Sequence, residues 1–384
     1  MSDPIVLTNF QPLLPPYEIK QEVAGRWLAE AHTQAEATKL RASGQAVDTI
    51  REKMRTLVDR YGCNVGQILT RRHELSDFQH TNWPEMKIFR LLDRPEGLGL
   101  EARMRFFRER VSDLFERWYP ADSAPPDDLI HVSCTGYVSP SAAQEVVAQN
   151  GWGERTTVTH AYHMGCYGTI PALRIARGFL QSGRGRADIA HTELCTLHLN
   201  PSLHTPDQFV VQSLFADGHI RYSLERKIEN AANPSPSFVL LAVREELLPD
   251  STDAMTWLCS DWGFTMTLSR DVPILTARAI EHFLERLFAE AEMDFQKKRD
   301  RILIALHPGG PAILDRVLDT LRLREDQIAH SRSVLRSYGN MSSATLPYIW
   351  RQMAEDPAVL AGSLIASVTF GPGLTAGGCL LEKR

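Results

Sequence analysis

The run Ile302-Leu303-Ile304-Ala305-Leu306 is apolar throughout and too short for a helix of its own. It reads as a strand with both faces covered, and Leu129-Ile130-His131-Val132-Ser133-Cys134-Thr135 reads in the same way. Helical periodicity fills much of the space around them, over 19–33, 47–61, 100–118, 277–293, 309–323 and 341–355. Further strands are expected at 5–7, 156–160, 188–194, 238–243, 364–370 and 379–381, and a helix starting near Ser139-Pro140, with serine as cap and proline in its first turn. Strands alternating with helices predict an α/β layered fold. Residues 121–128 are a linker by composition. Residues 230–237, Asn-Ala-Ala-Asn-Pro-Ser-Pro-Ser, mark the best internal boundary, dividing the chain into 1–235 and 236–384. The two parts share a rhythm of elements without a literal repeat.

With 384 residues the chain has room for two domains or one large duplicated fold. A net charge of -5 argues against a nucleic-acid partner, which calls for a basic stripe; Arg71-Arg72 is the clearest local basic pair. The six cysteines, at 63, 134, 166, 195, 259 and 379, show neither a C-x-x-C pair nor zinc spacing. They fit unpaired thiols in a reducing compartment and no metal. No secretory signal and no apolar run of membrane-spanning length is apparent, so a cytoplasmic protein is expected.

One cysteine stands apart. Cys166 lies in His163-Met164-Gly165-Cys166-Tyr167-Gly168, just before an apolar helical run. Flanking glycines permit a tight turn and close approach of a substrate. A helix N-terminus favours a thiolate, so Cys166 is a candidate nucleophile. The alternative is a small buried residue packed between helix and strand. His307, in His307-Pro308-Gly309-Gly310, follows an apolar strand, where open α/β sheets place ligand-facing groups. Alone it reads equally as a loop histidine bonded to backbone. Asn340, in Tyr338-Gly339-Asn340-Met341-Ser342-Ser343, reads alone as a helix cap. The triple is more specific than its members, because each stands at the mouth of a new element beside glycine or proline.

The segments GCYG, HPGG, YGNMSSA and FGPGLT occur in an order and spacing similar to those of the chalcone-synthase-like, type III polyketide synthases of the thiolase superfamily. LFADG at 214–218 and RDVP at 270–273 match further landmarks, and the resemblance covers roughly 60–384. It implies a duplicated, five-layered αβαβα thiolase fold and a homodimer. It makes Cys166 the acyl-accepting nucleophile, paired with His307 as thiolate and imidazolium. His307 and Asn340 would hydrogen-bond the thioester oxygen where enolate charge develops. The N–H of Cys166 and one from the Phe370-Gly371 turn would form an oxyanion hole. Phe215 would be a gatekeeper, with ordinary core packing as its alternative. Ser139 falls near the position whose side chain lines the partner's pocket.

Departures bear on substrate. Met266 stands where a second, aromatic gatekeeper is usual, so a bulkier chain could pass. Cys195 and His198 occupy small threonine-like pocket positions; His198 is either a polar pocket group or a structural histidine. Glu193 matches a glutamate that could anchor a buried water. The basic cluster for coenzyme A phosphates is thin, with Arg71 and Arg72 present but Cys63 and Thr70 at neighbouring positions. That favours acyl chains carried on the phosphopantetheine arm of an acyl carrier protein over free coenzyme A esters. No bound cofactor is implied. The opening, with Pro15-Pro16-Tyr17-Glu18-Ile19 and Trp27-Leu28-Ala29-Glu30-Ala31-His32, is similar to the stand-alone ketosynthases that join two carrier-bound β-ketoacyl chains into an α-pyrone antibiotic. The expected activity is therefore an acyltransferase (ketosynthase) making a carbon–carbon bond by Claisen-type condensation, with His307 or Glu193 removing the proton. The main alternative extends an acyl starter with malonyl-coenzyme A to an alkylpyrone or resorcinol. A papain-like protease shares the Cys, His, Asn order but not the local motif around Cys166. A dead scaffold would not need all three residues.

Overall fold

The computed structural model describes residues 4–41, 46–226 and 236–384. Among them run strands β1 (Ile5–Leu13), β2 (Tyr17–Lys20), β3 (Thr70–His73), β4 (Asp128–Ser133), β5 (Thr157–Tyr162), β6 (Arg186–Leu194) and β7 (Asp217–Arg226). The second half adds β8 (Phe238–Leu247), β9 (Met255–Cys259), β10 (Phe264–Leu268), β11 (Leu303–Leu306), β12 (Leu364–Gly371) and β13 (Thr375–Lys383). Helices are α1 (Gln21–Lys39), α2 (Val47–Tyr61), α3 (Leu100–Trp118), α4 (Ala142–Gln149), α5 (Thr169–Gln181) and α6 (Pro206–Leu214). They continue with α7 (Val272–Ala289), α8 (Phe295–Lys298), α9 (Pro311–Leu321), α10 (Ala329–Tyr338) and α11 (Thr345–Glu355). Most of the expected boundary segment, 230–235, lies outside the described residues.

Nine strands join in the order β11-β12-β13-β8-β1-β7-β6-β4-β5. β5, β4 and β6 are parallel, as are β11 and β12. The two groups of strands meet through β1 and β8, at Val6↔Val239 and Leu7↔Phe238. Helix α5 lies inside, against β4, β6 and β7 on one side and β8 and β13 on the other; α11 likewise touches β1, β7 and β11. Ala172 and Ala176 on α5 are completely buried, and their small side chains let strands of both halves approach the helix. Helices α7 and α9 pack together outside the C-terminal strands, and α3 and α4 outside the N-terminal ones. Helix, strand, helix, strand, helix is the layering expected.

Two local expectations are corrected. Helix α4 starts at Ala142, with Ser141 as its cap: Ser141 Oγ accepts from Gln144 N and Gln144 Oε1 accepts from Ser141 N at 2.9 Å. This reciprocal box satisfies two orphan donors at once, so Ser139 and Pro140 precede the helix. The hairpin β9–β10, absent from the sequence reading, forms its own two-stranded sheet. Among the described residues no helix is long and apolar enough to cross a membrane.

Candidate active site

Cys166 sits in a tight turn, Gly165–Tyr167, between β5 and α5, and is buried. Gly165 adopts φ 71, which favours glycine, and a Cβ there would lie 2.4 Å from Pro372 Cδ. A Cβ at Gly371 would lie 2.2 Å from a Tyr167 ring carbon. The Cys166 turn and the end of β12 are thus pressed together, and Thr369 Oγ1 ties them by donating to Cys166 O at 3.0 Å.

His307 leaves the end of β11, where its N–H still donates to Val368 O at 2.8 Å. Asn340 pairs like a one-residue strand beside Phe215: its N–H donates to Leu214 O at 3.0 Å and its carbonyl accepts from Ala216 N at 2.8 Å. Backbone therefore locks the amide-bearing residue to the residue expected at the gate.

Cys166, His307 and Asn340 line one cavity together with Phe215, Met266 and Phe370. A second cavity also reaches the sulfur. Its wall includes Cys134, Thr135, Cys195, His198, Gln208, Gln212, Trp257, Phe264 and Ser342. The two cavities share Cys166, Phe215 and Met266.

Buried polar atoms are normally paired. Here both ring nitrogens of His307 and Nδ2 of Asn340 are buried without a hydrogen-bond partner. Asn340 Oδ1 accepts from Ser342 N at 2.8 Å, which fixes the amide and leaves its NH2 as the open donor. Ser342 follows with φ 50, a left-handed conformation uncommon for a residue with a Cβ. An open imidazole N–H and an open amide NH2 beside a thiol are a prepared receptor for an oxygen that gains charge.

Burial pushes the Cys166 thiol up to about 12, while the neighbouring Ser342 and Asn340 side chains act to lower it. Burial likewise holds the His307 imidazole at about 3. Burial thus opposes the thiolate that the helix terminus favours, and it opposes the imidazolium as well.

Glu193 lines neither cavity. Its carboxylate accepts from Cys134 N at 3.0 Å, Thr135 Oγ1 at 3.1 Å and the Ser343 hydroxyl. Burial raises its pKa, opposed first by Ser343. It braces the wall behind Cys166. His198 is the structural histidine of the two readings. Phe264 N donates to its Nδ1 at 3.1 Å, so its Nε2 carries the proton and donates to Thr135 O at 2.8 Å.

Arg71 does not offer a phosphate site. It is 3 % exposed, and its guanidinium donates to Gln21 Oε1, Gln212 O and Phe215 O, because β3 runs beneath the gate. Arg72 is paired with Glu18 at 2.5 Å and donates to Pro15 O. Ser139 is exposed and lines neither cavity. All six cysteines are unpaired, and among the described residues no three His, Cys, Asp or Glu side chains gather as a metal site.

Trp257, Phe264 and Ser342 were not anticipated as wall residues. The first two belong to the β9–β10 hairpin, whose alternation of Met255, Trp257, Phe264 and Met266 with Thr256, Leu258, Thr265 and Thr267 was the available signal. Ser342 stood in the quoted YGNMSSA segment without an assigned part.

The C-terminal domain model of chalcone and stilbene synthases matches residues 239–383. Type III polyketide synthase C of Arabidopsis thaliana is 30% identical over 260 residues, spanning 66% of this chain and 67% of that protein. Among solved structures, the C-terminal type III polyketide synthase domain of Steely1 from Dictyostelium superimposes with a TM-score of 0.81 at 22% identity, covering 99% of both chains. Polyketide synthase I of the brown alga Ectocarpus siliculosus gives 0.81 at 21% identity, covering 100% of this chain and 99% of its own. Tetrahydroxynaphthalene synthase of Streptomyces coelicolor gives 0.75 at 22%, covering 99% of both. Sequence and thiolase-like fold agree, and the chain belongs to the type III polyketide synthases, enzymes of Claisen-type condensation.

Proposed function

We propose that this enzyme is a ketosynthase that joins two carrier-bound β-ketoacyl chains into an α-pyrone through an acyl group held on Cys166. The observation that carries the reading is the meeting of two cavities at one sulfur, one of them with open nitrogens. The first chain leaves its carrier thioester for Cys166. Sulfur attacks the carbonyl, His307 takes the thiol proton, the N–H groups of Cys166 and Gly371 hold the oxyanion, and the carrier thiol leaves with a proton. The acyl tail then occupies the wider cavity. The second thioester enters beside His307 and Asn340: the Asn340 NH2 holds its carbonyl oxygen while His307 takes the proton lost from carbon two or four and, once protonated, donates to the same oxygen. His307 is the base, since every Glu193 oxygen faces a wall partner. The carbanion attacks the acyl carbon, the new C–C bond replaces the C–S bond, and Cys166 recovers its proton. Lactonisation expels the second carrier thiol. The enzyme acts as a homodimer, with Ser139 reaching toward the partner's pocket, in the cytoplasm and with no bound cofactor. The lack of an unengaged Arg71-Arg72 pair supports a carrier arm with one phosphate over coenzyme A.

The test incubates the purified enzyme with two carrier-bound β-ketoacyl chains, or with malonyl-coenzyme A and a fatty acyl starter. Pyrone from the carrier-bound pair, with an acyl adduct on Cys166 by intact mass that Cys166→Ala abolishes, is expected. Pyrone from malonyl-coenzyme A without any carrier would establish the iterative alternative instead.

A further inference from the structure

Chamber walls can be read for what they offer a ligand. The wider cavity is lined by several polar side chains, yet those away from the sulfur have their hydrogen-bonding atoms engaged in holding the wall. The Trp257 indole N–H donates to Cys134 O at 2.7 Å. Both His198 nitrogens are taken, by Thr135 O and Phe264 N. Thr135 Oγ1 donates to Glu193 and accepts from Leu194 N at 2.9 Å. Gln212 is held between Asn200 O at 3.0 Å and His32 Nε2 at 3.1 Å. None of these side chains has a buried polar atom without a partner, in contrast with His307 and Asn340 across the sulfur. Polar capacity remains in the Ser342 hydroxyl beside Cys166 and in the Gln208 amide, whose Nε2 donates to Met266 O at 2.7 Å.

We infer that the chamber selects acyl groups by exhaustion: it takes a hydrocarbon tail and rejects one bearing a hydroxyl beyond the first few carbons, while the sulfur end still tolerates a keto oxygen. This rests on the acyl-enzyme reading above and names the tail it accepts. A hydroxyl buried against walls whose polar atoms are all engaged loses its water and gains nothing. Trp257 is the specificity-determining residue, because its N–H closes the Cys134 carbonyl that would otherwise face the ligand.

The test measures binding, so it does not depend on turnover. Decanoyl-pantetheine amide and its 10-hydroxydecanoyl counterpart, neither able to acylate a thiol, are titrated into the full chain by calorimetry. The decanoyl compound is expected to bind about ten- to a hundredfold more tightly. In Trp257→Phe, which keeps the aromatic ring and frees the Cys134 carbonyl, that ratio is expected to shrink at least threefold. Equal binding of the two compounds to the parent enzyme, or an unchanged ratio in the variant, would overturn the inference. A preserved binding preference without any acylation of Cys166 by the matching thioesters would fault the proposed function alone.

Discussion

His307 carries two buried ring nitrogens that the fold leaves unsatisfied, and its imidazole is held neutral down to about pH 3. An unpaired buried donor or acceptor costs about 1–3 kcal/mol. The residue is therefore a stability loss accepted for chemistry. His307→Leu, of similar volume, is expected to abolish pyrone formation while raising the unfolding free energy by roughly 1–2 kcal/mol. Urea unfolding followed by tryptophan fluorescence measures the second effect, and an equally large loss of stability would count against it. This economy explains which residues could be read in the chain. Cys166, His307 and Asn340 stood out because glycine or proline beside each signals a special backbone. Arg71, Arg72 and Glu193 looked available because nothing local in sequence reveals their partners. Gln21, Gln212, Phe215, Glu18 and Ser343 reach them only through folding.

At the scale of elements, the Cys166 sulfur is placed by a junction of β5, α5 and β12 with no spare room. Gly165→Ala would set a Cβ against the Pro372 ring in a left-handed conformation, and both ring and turn would have to shift. Strain of this kind costs about 1–3 kcal/mol. Cys166 would move relative to the Asn340 amide, so acylation is expected to slow at least tenfold while the helices persist. Stopped-flow acylation beside far-ultraviolet circular dichroism separates the two effects, and an unchanged acylation rate would refute tight placement. Long periodic elements were legible: 47–61 and 100–118 coincide with α2 and α3. The start of α4 was misread because Ser139-Pro140 and Ser141 compete as signals and the Gln144 reciprocal bond decides between them. The β9–β10 hairpin lacks the continuous apolar run that marks 302–306: Thr256, Thr265 and Thr267 interrupt its two short strands. Yet that hairpin supplies Trp257, Phe264 and Met266 to the acyl chamber.

Across the whole molecule, burial has collected an unusual set of neutral imidazoles. His32, His131, His191, His198 and His307 are each lowered from 6.5 to about 3, all chiefly by desolvation, and His73 lies well below its ordinary value. Between about pH 6.5 and 3 the unfolded chain binds protons that the folded one refuses, so stability is lost as pH falls through that window. Each of the five costs the fold stability across that window. Buried carboxylates act in the opposite sense. Asp217 is raised from 3.8 to about 6 by burial, so the fold regains stability as it takes up its proton, but by only about 1 kcal/mol at pH 5. Asp128, Glu193 and Glu225 are raised in the same sense, but the lowered histidines, with His160 and His204 among them, outnumber them, so acidification costs the fold stability. The enzyme is expected to unfold cooperatively with a midpoint inside this window, taking up several protons, as read by near-ultraviolet circular dichroism and by the summed emission of its seven tryptophans. His307→Leu removes one of these refused protons and is expected to move the midpoint downward. A fold that survives to pH 4, or a midpoint unmoved by that substitution, would mean that these imidazoles accept protons without losing their places in the core.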